Sequence, residues 1–163
     1  MSLEWGILIF VWSLTFSLIS LIPKNKRRIA FVAFLSMQVI TNLFGVLVVE
    51  FNLISYPVRF FSEVYRASFT FEYFIYPSVC SIFTVFYPYY RSYLYRFGYY
   101  AAFSTAITVP EFFLEQYTDV INYIQWEWYW TWFTLFLTLL LSRRLIVWFF
   151  KDLSNEVSSN NKR

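Results

Sequence analysis

The stretch from Ile29 to Glu50, IAFVAFLSMQVITNLFGVLVVE, decides the class of this protein. Its last residue is its only charged one. Four basic residues precede it closely in the chain: Lys24, Lys26, Arg27 and Arg28. A helix needs about 20 mainly apolar residues to cross the hydrocarbon core of a bilayer. The sequence therefore predicts a membrane-spanning helix with a basic loop at its N-terminal end.

Four further apolar segments complete a predicted all-α membrane bundle of about five helices. Besides residues 29–50, the predicted helices are residues 3–22, 69–89, 97–114 and 123–142. Segments 69–89 and 97–114 are rich in tyrosine, and neither shows a polar face at helical spacing, so a buried helix of a soluble protein fits them poorly. We predict a single membrane domain over residues 1–152. The polar remainder, residues 153–163, is predicted to be a disordered cytoplasmic tail.

The composition of the chain agrees with a membrane protein and excludes several kinds of site. Of the 163 residues, 59% are hydrophobic and 14% are charged, whereas soluble domains have about a quarter of their residues charged. Aromatic residues make up 26%, which suits a surface that meets lipid and water. The chain has one cysteine, Cys80, and no histidine. Metal sites built on thiolate or imidazole and histidine-based catalysis are therefore not expected.

Basic residues set the predicted orientation, because Lys and Arg in short loops stay in the cytoplasm. With the N-terminus outside and the C-terminus in the cytoplasm, only Arg59 and Arg66 of the 13 basic residues fall on the outer side. The acidic residues are distributed the other way, since only Asp152 and Glu156 fall inside. We therefore expect a chain that is basic on its inner side and acidic on its outer side.

The outer loop 55–68 is expected to lie on the membrane surface. Arg59, Glu63 and Arg66 are spaced four and three residues apart, so in a helix they would share one face. This spacing predicts a short interfacial helix. An irregular loop is the alternative.

Four carboxylates are the main candidates for function, each near the outer end of a different predicted helix. They are Glu50, Glu72, Glu111 and Glu127. Ionisable groups at membrane depth are costly and often mark ion or proton paths. If the four converge, their mutual repulsion favours recruitment of a cation. The alternative, which we favour, is that each one is solvated at the level of the lipid headgroups. Glu111 fits that alternative least, and Arg59 or Arg66 are the cations available to pair with it.

A second polar group lies near the middle of the predicted helix 29–50. It consists of Gln38, Thr41 and Asn42, with Gly45 close to the same face. Such residues line a pore or pocket in some membrane proteins, and in others they form interhelical hydrogen bonds. We favour the hydrogen bonds, with Gly45 allowing close packing.

The second half of the chain carries a loosely spaced set of aromatic and basic motifs. They are Tyr76-Pro77-Ser78-Val79, Tyr87-Pro88, Glu111, and Trp126–Trp132 leading to Ser142-Arg143-Arg144. Over about residues 40–150 the chain thereby resembles an uncharacterised family of small multi-spanning membrane proteins of Bacillus- and Clostridium-type spore-forming bacteria. The resemblance implies a location in the bacterial cell (inner) membrane and no particular activity.

The sequence gives little support to an enzyme. The chain has only three glycines and no glycine-rich phosphate loop, and no catalytic motif is recognisable. No cofactor and no nucleic-acid partner are expected. Small residues such as Ser104 and Thr108 favour a non-enzymatic protein that acts by helix packing with itself or with a membrane partner. The alternative is a subunit of a small ion channel or transporter that uses the outer carboxylates.

Overall fold

The computed structural model describes the backbone of residues 3–160 and the side chains of residues 3–151. Within these residues the chain is mostly helical, with five α-helices. They are α1 (Leu3–Ser20), α2 (Arg27–Glu50), α3 (Tyr76–Val85), α4 (Tyr93–Tyr117) and α5 (Trp128–Asn160). Three of them are long and apolar enough to cross a membrane, namely α1, α2 with the short 3₁₀ turn before it, and α5. The predicted helical class is thereby confirmed.

The shortest helix, α3, lies at the centre of the protein. Most of its residues are buried, as are most residues of the π-helical segment Thr70–Ile75 that leads into it. It packs against α1, α2 and α5. A helix that is apolar on all sides belongs in an interior, so α3 needs little lipid-facing surface. It ends earlier than the predicted segment 69–89, because Pro88 disfavours helical backbone in the residue before it.

Proline at the start of α3 explains the π-helical segment. Pro77 has no backbone N–H, so the carbonyl of Tyr73, four residues earlier, has no partner within the helix. The N–H of Tyr76 bonds to the carbonyl of Phe71, five residues earlier, as in a π-helix. This shift leaves the carbonyl of Glu72 without a partner in its own helix as well.

Side chains from α2 supply the two missing donors. Gln38 Nε2 donates to the carbonyl of Tyr73 at 3.1 Å, and Thr41 Oγ1 donates to the carbonyl of Glu72 at 2.8 Å. Both bonds cross between helices, and a buried carbonyl without a donor is costly. They therefore fix α2 against the π-helical segment. The Asn42 side chain makes no hydrogen bond to any described residue.

Aromatic rings fill much of the interior between the helices. Trp12 of α1 stacks on Phe74 with the ring centroids 4.1 Å apart, and its Nε1 donates to Thr70 Oγ1 at 3.2 Å. On α3, the fully buried Phe83 contacts four rings of the following segment: Tyr87, Tyr99, Tyr100 and Phe103. These contacts hold α1 to the π-helical segment and α3 to α4.

Contacts at the two ends of the bundle show that successive helices alternate in direction. At one end, the short strands β1 (Ile54–Ser55) and β2 (Asn122–Tyr123) pair antiparallel and join the α2–α3 loop to the α4–α5 loop. At the other end, Lys26 Nζ donates to the carbonyl of Val85 at 3.0 Å. There too the Arg143 guanidinium lies 4.4 Å from the ring centroid of Tyr87. Each loop thus meets the loop or helix end expected of an up-and-down bundle.

The loop 55–68 contains no helix, so the predicted interfacial helix is wrong and the irregular alternative is found. Phe61 has a φ of 61°, a left-handed conformation that a helix cannot contain. The Arg59 guanidinium instead organises the loop by donating to three backbone carbonyls, those of Tyr56 (2.7 Å), Tyr65 (2.8 Å) and Ser62 (3.0 Å).

Two other helices have boundaries that differ from the predicted ones. Helix α4 begins earlier than predicted, because the Ser92 hydroxyl accepts a hydrogen bond from the N–H of Tyr95 and caps the helix. Helix α5 begins at Trp128 instead of residue 123, because Tyr123 belongs to β2. At its other end α5 continues to Asn160, into the segment 153–163. The disorder predicted there stays a prediction, since the last three residues lie outside the described chain.

Candidate functional site

Two of the four predicted carboxylates meet at one cavity inside the bundle. Glu72 from the π-helical segment and Glu111 from α4 are 4% and 5% exposed. Both line a cavity of about 90 Å³ between α2, α3, α4 and α5. The rest of its wall includes the hydroxyl groups of Thr41, Tyr56, Tyr76, Thr131, Thr134 and Thr138. The π-helical segment and the inter-loop strands thus bring together residues that are distant in the chain.

Glu111 is held by hydroxyl groups from three other elements. Its Oε2 accepts from the hydroxyl of Tyr76 at 2.9 Å. Its Oε1 accepts from the hydroxyl of Tyr123 at 2.7 Å and from Thr131 Oγ1 at 2.9 Å. Trp126 Nε1 in turn donates to Thr131 Oγ1 at 2.9 Å. Since α3, β2 and α5 all contribute a donor, the position of this carboxylate depends on the closed bundle.

The carboxylate of Glu72, by contrast, has no polar partner. Neither a hydrogen bond nor an ion pair joins it to any residue in the described part of the chain. It lies directly over Gly45 of α2, where an ideal Cβ atom would come within 2.5 Å of Glu72 Cδ. Gly45 therefore makes room for the side chain of Glu72. The sequence had suggested instead that Gly45 allows close packing of another helix.

A second unpartnered group on the cavity wall is the hydroxyl of Tyr56, a residue that is 4% exposed. No other described residue forms a hydrogen bond with it. Burial, and after it the charges of Glu72 and Glu111, raise the pKa of Tyr56 well above its ordinary value. Tyr56 therefore keeps its proton and presents a donor and an acceptor lone pair to the cavity.

Among the residues with described side chains, no Lys or Arg lines the cavity. Arg66 Nη1 lies 3.1 Å from Glu50 Oε1 in an exposed ion pair, and Arg59 is occupied by loop carbonyls. The predicted pairing of Glu111 with one of these arginines is therefore wrong. A buried ionised carboxylate without a compensating charge is very costly. The pair of acids consequently needs a proton or a small cation from outside the chain.

The other two carboxylates do not reach the cavity. Glu50 is exposed beside Arg66, and Glu127 is exposed just before α5. The four acids therefore divide evenly between the two alternatives that the sequence left open. Sequence reasoning missed Tyr56, Tyr76 and Thr131, and the only signal for them was Pro77, which predicts an irregular helix near Glu72.

Within residues 3–151 no group of three or more His, Cys, Asp or Glu side chains is placed to hold a metal ion. The acids of the cavity number two, and hydroxyl oxygens provide the remaining polar groups. The chain matches no protein-family model, no curated protein and no solved structure. The resemblance to a family of spore-forming bacteria stays a prediction.

Proposed function

We propose that this protein is the cation-binding subunit of a small ion channel or transporter in a bacterial cell membrane. The observation that carries the proposal is Glu72, a buried carboxylate without a polar partner, at the same cavity as Glu111. Ionisable residues inside membrane bundles commonly mark ion or proton paths. Helix packing alone does not require an acid in this position.

The cavity suits a singly charged cation, including a proton. Calcium takes six to eight oxygen ligands and magnesium a strict octahedron, whereas this cavity offers two carboxylates and a few neutral hydroxyl groups. A cavity of about 90 Å³ has room for several water molecules, each of which needs roughly 10–15 Å³. A sodium ion, a potassium ion or a hydronium ion with part of its water shell therefore fits.

Placement in the membrane is the second part of the proposal. We place all five helices across the bilayer with the N-terminus outside, so that the paired loops with Glu50 and Glu127 face outward. The alternating helix directions support this arrangement, and so does the position of basic residues at the opposite end. The central α3 crosses inside the bundle, where neighbouring helices cover it.

Cysteine labelling tests the placement. The native Cys80 is fully buried, so it should not react with the labelling reagent. Asn25 and Ser62 are exposed at opposite ends of the bundle. In intact cells we expect Ser62→Cys to react with a membrane-impermeant maleimide and Asn25→Cys to react only after permeabilisation. The reverse pattern, or labelling of both from outside, contradicts the orientation.

Cation binding is tested on the protein purified in lipid nanodiscs. We expect sodium or potassium, or a change of pH, to raise the thermal unfolding temperature in a saturable way. Glu72→Gln and Glu111→Gln should abolish the effect, because an amide cannot neutralise a cation. Glu50→Gln and Glu127→Gln are matched controls from the same end of the bundle and should retain it.

The contrary result is also well defined. If Glu72→Gln is as stable as the wild type, and neither monovalent cations nor pH affect either protein, Glu72 is a permanently protonated structural acid. Flux measurements in proteoliposomes then decide transport separately. Cation flux that is unchanged by Glu72→Gln and Glu111→Gln rules out this path.

A function based only on helix packing with a partner is the weaker proposal. Ser104 and Thr108 of α4, which the sequence offered as contact surfaces, are buried within the protein at 0% and 3% exposure. Homo-oligomerisation or a membrane partner stays a prediction that crosslinking in native membranes can test.

A further inference from the structure

A lateral groove lies at the basic end of the bundle, and none of its lining residues lines the carboxylate cavity. It has a volume of about 450 Å³ and runs between α1, α2 and α3. Its apolar lining is formed by Ile19, Ile22, Ala30, Phe31 and Phe34. Ile22 and Ala30 form its floor, because they are 5% and 6% exposed and pack with Val85. Phe31, at 63% exposure, forms a rim that faces the bilayer in the proposed placement.

The polar groups of the groove leave only one side chain free for a ligand. Ser81 donates to the carbonyl of Ala30 at 2.8 Å, and Ser20 donates to the carbonyl of Ser17 at 2.6 Å. Arg27 also lines the groove and is exposed. Among the residues whose side chains are described, none forms a hydrogen bond or an ion pair with the Arg27 guanidinium.

Further basic residues lie close to Arg27 in the chain. Lys24 and Arg28 are both exposed in the same turn of chain. Lys26 is held by the carbonyl of Val85 and by its position over the ring of Phe86, 5.9 Å from the centroid. This end of the groove therefore presents a cationic site next to a long apolar surface, at the depth where a helix leaves the membrane.

We propose that this groove binds one anionic phospholipid, with an acyl chain along Ile22, Ala30 and Phe34 and the headgroup phosphate on Arg27. The apolar floor excludes a water-soluble anion as the main occupant, and the free guanidinium selects a negatively charged headgroup. Arginine binds phosphate oxygens in a bidentate manner, and basic residues next to membrane helices attract anionic lipids. The proposal depends on the membrane placement and is independent of the cation cavity.

Native mass spectrometry of the full chain in detergent tests it. The probes are an anionic phospholipid, a zwitterionic phospholipid with the same acyl chains, and inorganic phosphate. We expect one anionic lipid to remain bound more tightly than the zwitterionic lipid, and phosphate alone not to compete. Arg27→Gln should lower the affinity for the anionic lipid about fivefold. Arg28→Gln removes the same charge outside the groove and should have little effect.

A variant that fills the groove separates the two parts of the site. Ser20 is exposed, so Ser20→Trp should fold normally and should displace the lipid while leaving Arg27 intact. Three outcomes overturn the proposal: equal retention of both lipids, equal effects of Arg27→Gln and Arg28→Gln, and unchanged binding in Ser20→Trp. The second would mean diffuse attraction to the basic loop, and the third a headgroup contact without the groove.

Discussion

Replacement of Gly45 by alanine probes the cavity without replacing either acid. The new Cβ atom would lie 2.5 Å from Glu72 Cδ and 2.6 Å from its Oε1. Ordinary contact between carbon atoms begins at about 3.5 Å. The carboxylate of Glu72 must therefore move by about 1 Å, which its side-chain torsions allow without displacing the backbone.

The expected effect on stability is small, whereas the expected effect on cation binding is large. Alanine is favoured over glycine inside a helix by about 1 kcal/mol, which offsets the cost of moving Glu72. We therefore expect the unfolding free energy of Gly45→Ala to stay within about 1 kcal/mol of the wild type. A binding site tolerates displacements of only about 0.5 Å. Cation affinity should fall at least tenfold, equivalent to about 1.4 kcal/mol.

The assay is the cation dependence of thermal unfolding in nanodiscs, measured together with the unfolding temperature in the absence of cation. Gly98→Ala is the matched control, because a Cβ at Gly98 meets nothing within 4 Å. It should give the same helix stabilisation and leave cation binding unchanged. In a Glu72→Ala background, Gly45→Ala should be purely stabilising, since the obstructing side chain is gone.

Either of two results refutes this reasoning. If Gly45→Ala binds the cation with wild-type affinity, the position of Glu72 does not matter for binding. If Gly45→Ala is instead strongly destabilised in the Glu72→Ala background as well, the glycine serves close helix packing, as the sequence first suggested.

Three further predictions concern side chains outside the cavity. Gln38→Ala leaves the carbonyl of Tyr73 without a donor and should lower stability by about 1–2 kcal/mol in chemical denaturation; no loss would mean that water replaces the amide. Arg66→Ala breaks an exposed ion pair with Glu50 and should change stability by less than about 1 kcal/mol in the same assay. Arg59→Ala removes three hydrogen bonds to loop carbonyls and should make the loop 55–68 sensitive to limited proteolysis, whereas Arg66→Ala should not.

The helices were predictable because a long apolar run carries its own signal. Residues 29–50 begin and end within two residues of α2. The apolar runs near both termini likewise correspond to α1 and α5. Length and composition are enough to identify such helices, because each one must satisfy its backbone internally.

The meeting of Glu72 with Glu111 was not predictable from spacing. Each residue of an α-helix turns by 100°, and the π-helical segment adds a residue to a turn. The direction of Glu72 therefore depends on where the register shifts, which Gln38 and Thr41 help to determine from another helix. Helical spacing also failed for Arg59, whose side chain binds carbonyls of its own loop instead of sharing a face with Glu63.

The pairing of β1 with β2 has a consequence for the folding of the protein during its synthesis. Ile54 lies opposite Tyr123, so this contact forms only after Tyr123 has been synthesised. Thr131, which also holds Glu111, emerges from the ribosome later still. Before then, Glu111 lacks the hydroxyl groups of Tyr123 and Thr131, and α5 does not yet close the cavity beside Glu72. In the proposed membrane placement, a chain cut short before α5 would leave this cavity open to lipid, and membrane quality control should recognise it as a substrate for degradation.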